Sequence, residues 1–515
     1  MDASEGQGRW VSGLTLQAHK RASTSTPLED APLPSEIVIP LEGGLSARNI
    51  RPAIQTGQRV FRGQPLVEGG GPLSTWTHAS TSGVVRSLET HPVGHARRRE
   101  ALCAVVDVDG EDEPWPELEP PDPMQWDAPD KLVTALSRAG LSGLGGAVFP
   151  TGVKVAAAWR RPMRAVVING AECEPYISCD DMLMRTLPRE VLAGALALLE
   201  LTGAEQGFVV LEDDKPEALQ ALEQELAVLG AEERLAIVKV RAIYPAGGER
   251  QLIQLLTGQE VPSLTHPTDI GYLCQNVGTA VALYRFLQSG DPLTSRVTTV
   301  TGGGIVSPRN MEVRLGMRIA DLVAACGGYN AAVKRLIMGG SMMGIALGTD
   351  SVPIGRATNC IIAATEPELH HDTDAMPCIR CGACSDVCPA YLLPQELHRA
   401  ARNNQFDVLD DLSLYDCIEC GCCDVVCPSH IQLTESFRAG KRGVVRSMDH
   451  EARVRWIDAR EQLRRQHIEG WEAEHEPGTA GGKELPPLAP LAPLPQRLEA
   501  VADVVGRVSR LSEPT

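Results

Sequence analysis

The chain has 515 residues, 43% of them hydrophobic and 22% charged. That is too long for one core and ordinary for a globular protein, so about three to five domains are expected. With 48 Lys and Arg against 66 Asp and Glu, the net charge of −18 argues against nucleic acid as a partner. Met1–Trp10 has neither a basic nor an apolar region, so no export signal is expected. No apolar stretch reaches the ~18–20 residues that cross a bilayer. Any work at a membrane is therefore expected to depend on partners.

In chain order, residues 1–33 are rich in Ser, Thr, Pro and charge, and are expected to be disordered. Residues 34–110 read as short strands punctuated by glycine. Within them, Gln55–Val60 and Ala79–Val85 resemble the halves of a lipoyl-like barrel-sandwich domain. No lysine lies between Leu41 and Glu100, which excludes a swinging cofactor arm and leaves a structural or docking role. The Pro- and acid-rich stretch Glu111–Pro123 reads as a linker.

Residues 125–290 alternate helices and strands. Helices are expected at Lys131–Leu141, Val191–Leu201 and Pro216–Leu229, and strands at Ala165–Asn169, Gly207–Leu211 and Ala236–Val240. That alternation predicts a Rossmann-like, mostly parallel sheet covered on both faces, with ligands at the carboxyl ends of strands. Three loops fall there. Gly143–Gly152, followed by Lys154, offers closely spaced backbone amides and a countercharge to a phosphate. Asn169-Gly-Ala-Glu-Cys-Glu-Pro175 places two carboxylates just beyond an apolar strand. Tyr244–Arg250 (Y-P-A-G-G-E-R) and Gln275–Thr279 complete the set. Each alone reads as well as a solvated turn.

Residues 297–360 contain Val297–Val300, Gly302–Gly304 and Leu336–Gly344, whose three methionines read as gap-filling core. Residues 366–468 hold the cysteines. Cys378, Cys381, Cys384 and Cys388, followed by Pro389, repeat as Cys417, Cys420, Cys423 and Cys427, followed by Pro428. Each is the C-x-x-C-x-x-C-x-x-x-C-P run of two-cluster bacterial ferredoxins, whose fourth cysteine ligates the other cluster. One [4Fe–4S] centre is therefore assigned to Cys378, Cys381, Cys384 and Cys427. The other takes Cys417, Cys420, Cys423 and Cys388, with Cys422 a bystander. Zinc ribbons use two C-x-x-C pairs without the closing C-P, and disulfides need an oxidising compartment.

The loops in this order resemble the flavin- and NADH-binding subunit of respiratory complex I, and more closely the RnfC component of the Rnf electron-transport complex. G-G-A-V-F-P-T, N-G-A-E-C-E-P-Y-I-S-C-D-D, Y-P-A-G-G-E, N-V-G-T and M-G-G-S-M-M-G carry the likeness, which runs from about residue 35 to residue 445. The resemblance implies a lipoyl-like domain, a Rossmann-like FMN/NADH domain, an SLBB-type β-grasp domain and an α-helical two-cluster ferredoxin domain. It implies FMN held by Gly143, Gly145, Gly146, Lys154, Asn169, Glu172, Gly247 and Asn276. Phe149, Glu174, Tyr244 and Glu249 would lie nearer NADH. It further implies an oxidoreductase subunit, peripheral on the cytoplasmic side of a bacterial inner membrane, with the other Rnf-type subunits as partners. There it would exchange electrons between NAD(H) and ferredoxin-type carriers in a complex that translocates ions. A soluble diaphorase subunit and an iron–sulfur adaptor are the alternatives. Val148 departs from the complex I flavoprotein, which has glycine there; a β-branched residue adopts φ > 0 only at a cost.

Beyond the cysteines, Arg438–Arg465 reads as one basic helix, either a solvated face or a contact for anionic lipid or an acidic partner. Residues 469–515 read as a Pro/Ala linker and an amphipathic helix, Gln496–Leu511. Its stripe of Leu498, Val501, Val504, Val505, Val508 and Leu511 would dock on a partner subunit or fold back on its own chain.

Overall fold

The computed structural model describes residues 12–42, 51–69, 71, 73–95, 98–330, 332–369, 374–475 and 494–512, and the chain forms two compact units. The larger comprises Ala18–Val240, Gly271–Leu369 and Ala489–Thr515. It holds three main sheets. In the first, Glu36–Pro40, Arg98–Val108, Gly83–His95 and Arg59–Val60 run antiparallel in that order around a core of Ile37, Ile39, Val60, Leu66, Val85 and Val106. This is the barrel-sandwich part.

The second sheet is parallel, in the order Leu235–Val240, Gln206–Glu212, Ala165–Gly170 and Tyr272–Asn276. Val166, Val167 and Ile168 are almost wholly buried, as expected of a central parallel strand covered on both faces. Helix Pro188–Thr202 packs on it with Val277–Ser289. The chain winds outward from Ala165–Gly170 through two strands, then returns to its other side with Tyr272–Asn276. The order therefore reverses between these two strands, which is where such sheets open a crevice for ligands. Tyr272–Asn276 is a strand that the sequence pattern did not suggest.

The third sheet has six strands. Ser295–Thr301 lies parallel to Cys360–Thr365 and antiparallel to Arg309–Arg314, with helix Ile319–Ala325 in the β-grasp manner. Glu29–Asp30 forms one edge of it, beside Arg309–Arg314. Residues 12–33 are thus not the disordered extension expected. Arg21–Thr24 is helical, and the buried Ser23 hydroxyl lies 2.7 Å from that of Ser178. Asn310 Nδ2 donates to Ser23 O at 3.0 Å. Hydrogen bonds hold much of this polar segment, with only Leu28 and Ala31 packed against the cores, so its composition hides its order. Residues 1–11 lie outside the described residues.

The C-terminal helix spans Leu494–Ser512 and folds back on its own chain. It packs on Pro188–Thr202 and Val277–Ser289, burying Leu498, Val501, Val504 and Val508 in the main core. Arg497 lies over the Trp159 ring at 5.4 Å, and Arg189 Nη1 donates to Leu511 O at 2.6 Å. Docking of this stripe on a partner subunit is therefore overturned. The Pro/Ala linker lies largely outside the described residues. Each buried Leu or Val contributes about 1.5–3 kcal/mol. Truncation before Leu494 is expected to lower the thermal unfolding midpoint by roughly 5–10 °C, measured by calorimetry. An unchanged midpoint would contradict this packing.

The smaller unit comprises Met1–Gln17, Arg241–Ile270 and His370–Leu488. Leu397, Leu409, Leu414, Leu433, Phe437 and Val444 form its core. The basic stretch is two helices, Leu433–Ser447 and His450–Glu474, not one. Met448 is extended, and the Asp449 side chain accepts from Ala452 N at 2.7 Å, which starts the second helix. Much of its positive charge is paired within the unit. Arg438 and Lys441 bind Glu419, Arg460 binds Asp410, and Arg464 binds Asp269. That pairing favours the solvated-face reading over a lipid contact. Among the described residues, no helix is long and apolar enough to cross a membrane.

Candidate functional site

The reversal point of the parallel sheet carries the first site. Asn169 and Asn276 are register partners at the carboxyl ends of the two strands. Asn276 also caps helix Val277–Ser289: its Oδ1 accepts from Gly278 N at 2.8 Å, and its Nδ2 donates to Asp180 Oδ2 at 2.6 Å. The glycine loop lies against this helix start. Leu144 N donates to Thr279 Oγ1 at 3.0 Å, and a Cβ on Gly145 would sit 3.5 Å from Asn276 Cβ. Gly146, at φ +104°, has open space where a side chain would be. Glycine thus leaves a cradle above a helix N-terminus, the geometry that receives a phosphate. The loop is closed by Gly143 N donating to Phe149 O at 2.8 Å. Lys154 is half-buried in the helix Thr151–Ala158 that follows, and Phe149 is exposed. Val148 takes φ +52°, so the left-handed turn forms despite its branched Cβ, at a cost of about 1–3 kcal/mol.

Glu172 is buried, and its carboxylate accepts from Asp180 N at 2.9 Å and Asp181 N at 3.4 Å. It caps helix Cys179–Thr186. Burial pushes its pKa up to about 7, Asp180 adds to the rise, and Lys20 and Lys215 oppose it. Lys20 Nζ donates to the Glu172 carbonyl, and Cys179 Sγ lies 3.4 Å from the carboxylate. Sequence reasoning missed Lys20, Cys179, Asp180 and Lys215. Asp180 and Cys179 stand in the quoted N-G-A-E-C-E-P-Y-I-S-C-D-D motif and could have been found there. Lys20 gave no signal.

Glu174 is placed differently. Its Oε1 accepts from Met342 N and Met343 N at 2.9 and 2.7 Å, in the M-G-G-S-M-M-G loop. A Cβ on Gly340 would collide with Glu174 at 2.2 Å, so the glycine there admits the carboxylate. A cavity of about 600 Å3 opens beside Leu144, Asp180, Asn276 and Arg296, within the range that holds a cofactor-sized ligand. Gly145, Gly146, Lys154 and Glu172 do not line it. Tyr244, Gly247 and Glu249 belong to the smaller unit. There Tyr244 is buried and its hydroxyl donates to Cys420 O at 2.7 Å.

The two cysteine runs fold as structural copies at one constant offset. Left-handed residues recur in register: Arg380 and Glu419 at φ +58°, Gly382 at +85° and Gly421 at +78°, Tyr391 at +53° and His430 at +51°. Short helices Ala383–Asp386 and Cys422–Val425 follow, then Pro394–Arg402 and Leu433–Ser447. In each copy the first cysteine sulfur accepts a backbone amide, from Arg380 N or Glu419 N, both at 3.4 Å. Hydrogen bonds to the sulfurs are one of the features that tune a bound cluster. Cys388 shares one small cavity with Cys417, Cys420 and Cys423, as the crossed assignment requires. Among the described residues no three cysteine sulfurs lie within 4.8 Å of one another. One tetrahedral zinc, with Zn–S of about 2.3 Å, would draw them to about 3.8 Å. Cys422 is buried in the same cavity, yet its counterpart in the first copy is Ala383, which cannot be a ligand.

Comparison with known proteins agrees with this architecture. Residues 9–111 match the RnfC barrel sandwich hybrid domain and 136–285 the Nuo51 FMN-binding domain. Residues 297–346 match the SLBB domain, and 374–431 the 4Fe-4S dicluster domain. The chain is 44% identical over 404 residues to the RnfC component of the ion-translocating oxidoreductase complex of Pseudomonas aeruginosa, covering 78% of this chain and 51% of the relative. It is 40% identical over 395 residues to that of Erwinia tasmaniensis, covering 77% and 48%. The chain spans about half the length of the curated relatives it matches. A solved NAD+-reducing [NiFe]-hydrogenase aligns with 62% of this chain and 61% of its own at 20% identity, with a TM-score of 0.42. From its four domains in this order, and its identity to these relatives over most of its length, the chain belongs to the RnfC family of ion-translocating oxidoreductase complex components.

Proposed function

We propose that this chain is the peripheral electron-input subunit of an Rnf-type complex, exchanging electrons between NAD(H) and ferredoxin-type carriers while the complex moves ions across the inner membrane. It would sit on the cytoplasmic side, held by the membrane-embedded and iron–sulfur subunits. One observation carries the reading: a single chain joins a glycine-lined cradle at a parallel-sheet reversal point to two structural copies of one cysteine run. Bound flavin exchanges electrons in pairs with a nicotinamide and singly with iron–sulfur centres, which is why one chain would hold both. Gly145, Gly146 and Lys154 would hold the flavin phosphate, and Asn169, Glu172 and Asn276 would lie beneath the ring. Asn276 is fixed by Asp180 and by its own helix, so it is preorganised. Glu172, raised toward neutrality, can hold or release a proton beside that site.

The test is the anaerobically reconstituted chain. It is expected to bind one FMN non-covalently and to reduce ferricyanide with NADH. Chain that holds FMN and iron but leaves NADH unoxidised would support the adaptor reading instead.

A further inference from the structure

The two cysteine tetrads are copies in sequence and backbone, yet their surroundings differ. In the first, Cys378 and Cys381 are exposed and Cys384 is half-buried. In the second, Cys417 is half-buried, and Cys420 and Cys423 are buried. The residues between them differ the same way: Ile379 is 69% exposed, whereas its counterpart Ile418 is half-buried. Arg380 is exposed, but Glu419 is tied to Arg438 and Lys441. Holding a cluster does not impose this asymmetry, since the same motif does so in both copies.

What covers the second tetrad is known. Tyr244 donates to Cys420 O, and Ser263 Oγ donates to Asp416 Oδ2 at 2.5 Å. Arg250 and Asp416 approach to 3.9 Å. All three covering residues belong to Arg241–Ile270, the segment that carries Tyr244, Gly247 and Glu249. The first tetrad has no such cover among the described residues of its unit. Instead Met376, 61% exposed, and Ile379 flank Cys378. Leaving large apolar side chains in water beside exposed sulfur ligands is unfavourable for an isolated chain. Weak electron-transfer encounters use small faces of this kind, apolar at the centre.

We infer that the face around Cys378 and Cys381 is where a second protein, itself carrying a one-electron metal centre, docks. The exposed sulfur ligands specify that chemistry. They bring a redox centre to the surface, within reach of a partner's own centre docked on the apolar residues beside it. One electron leaves the centre of the first tetrad, which is oxidised, and enters the partner's centre, which is reduced, or the reverse. No bond forms and no proton moves. The second tetrad is sealed within its own unit by the Tyr244 segment. This inference rests on the electron-input reading but is tested separately from it.

The experiment uses full-length holo chain, reduced with dithionite so that NADH is not needed, and membrane vesicles carrying the rest of the complex but stripped of this chain. Ile379→Glu and Met376→Glu are compared with Ile457→Glu, a control on helix His450–Glu474 that is 53% exposed. Iron content and the electron paramagnetic resonance spectrum are recorded for each variant. Ile379→Glu and Met376→Glu are expected to weaken sedimentation with the vesicles, and to slow reoxidation by them, by at least tenfold, with iron and spectrum unchanged. Ile457→Glu is expected to behave as wild type. If Ile379→Glu loses iron, Met376→Glu decides. Wild-type binding and reoxidation by the iron-replete variants, or an equal loss in Ile457→Glu, would overturn the proposal. So would discharge by free menadione but not by vesicles, which would assign the face to a small acceptor. Failure of NADH oxidation with intact dithionite-driven transfer would count against the nicotinamide reading alone.

Discussion

Cys388→Ala is expected to empty the iron–sulfur centre of the other tetrad, not that of its own segment. Iron should fall from about eight to about four per chain. The reason is spatial: Cys388 opens into the cavity of Cys417, Cys420 and Cys423. Double variants reveal the crossing. Cys388→Ala with Cys420→Ala should lose no more iron than either alone, because both remove the same centre. Cys388→Ala with Cys381→Ala should lose nearly all of it. The reverse pattern in anaerobically purified protein would show that each tetrad closes on itself. Cys422→Ala should leave iron unchanged, since the copy with Ala383 manages without a sulfur there. Zinc in place of iron would sink the cluster assignment altogether.

How far the sequence alone reaches differs by element. The cysteine runs were legible because cluster ligation fixes spacing within one short stretch, and the structure added the unequal exposure that no spacing encodes. The apolar strand at Ala165–Gly170 was legible because central parallel strands read as continuous runs. Tyr272–Asn276 was not, because it ends in Gln275 and Asn276 and looks like the loop that follows it. Its placement matters most, since it sets Asn276 beside Asn169. The segment around Ser23 misled because hydrogen bonds to Ser178 and Asn310 hold it, and such bonds leave no hydrophobic pattern. The C-terminal stripe was correct as a stripe. Its target was invisible, because periodicity says that a face is buried and not against what. Glu174 illustrates the limit for single residues: its carboxylate answers to amides at Met342 and Met343, far away in the chain.

The flavin cradle allows a sharper test than cofactor content alone, because Lys154 and Val148 separate charge from shape. Lys154→Ala removes a cation half-buried next to the loop and leaves the backbone path untouched. A hydrogen bond to a charged group contributes about 1.5–3 kcal/mol. FMN affinity, followed by quenching of flavin fluorescence, should therefore fall roughly 10–100-fold. Val148→Gly works on the other term. At φ +52° the valine is strained, and glycine adopts that conformation freely. Glycine also gives the unfolded chain more freedom, which offsets part of the relief. Thermal stability should change by no more than about 1 kcal/mol, and FMN affinity should stay within about threefold. The loop already holds the turn, closed by Gly143 and Phe149, so glycine has little geometry left to improve. Lys154→Ala protein that keeps its FMN would remove the lysine from the phosphate site. Tenfold tighter binding in Val148→Gly would mean that the strained loop samples other shapes and that valine limits occupancy.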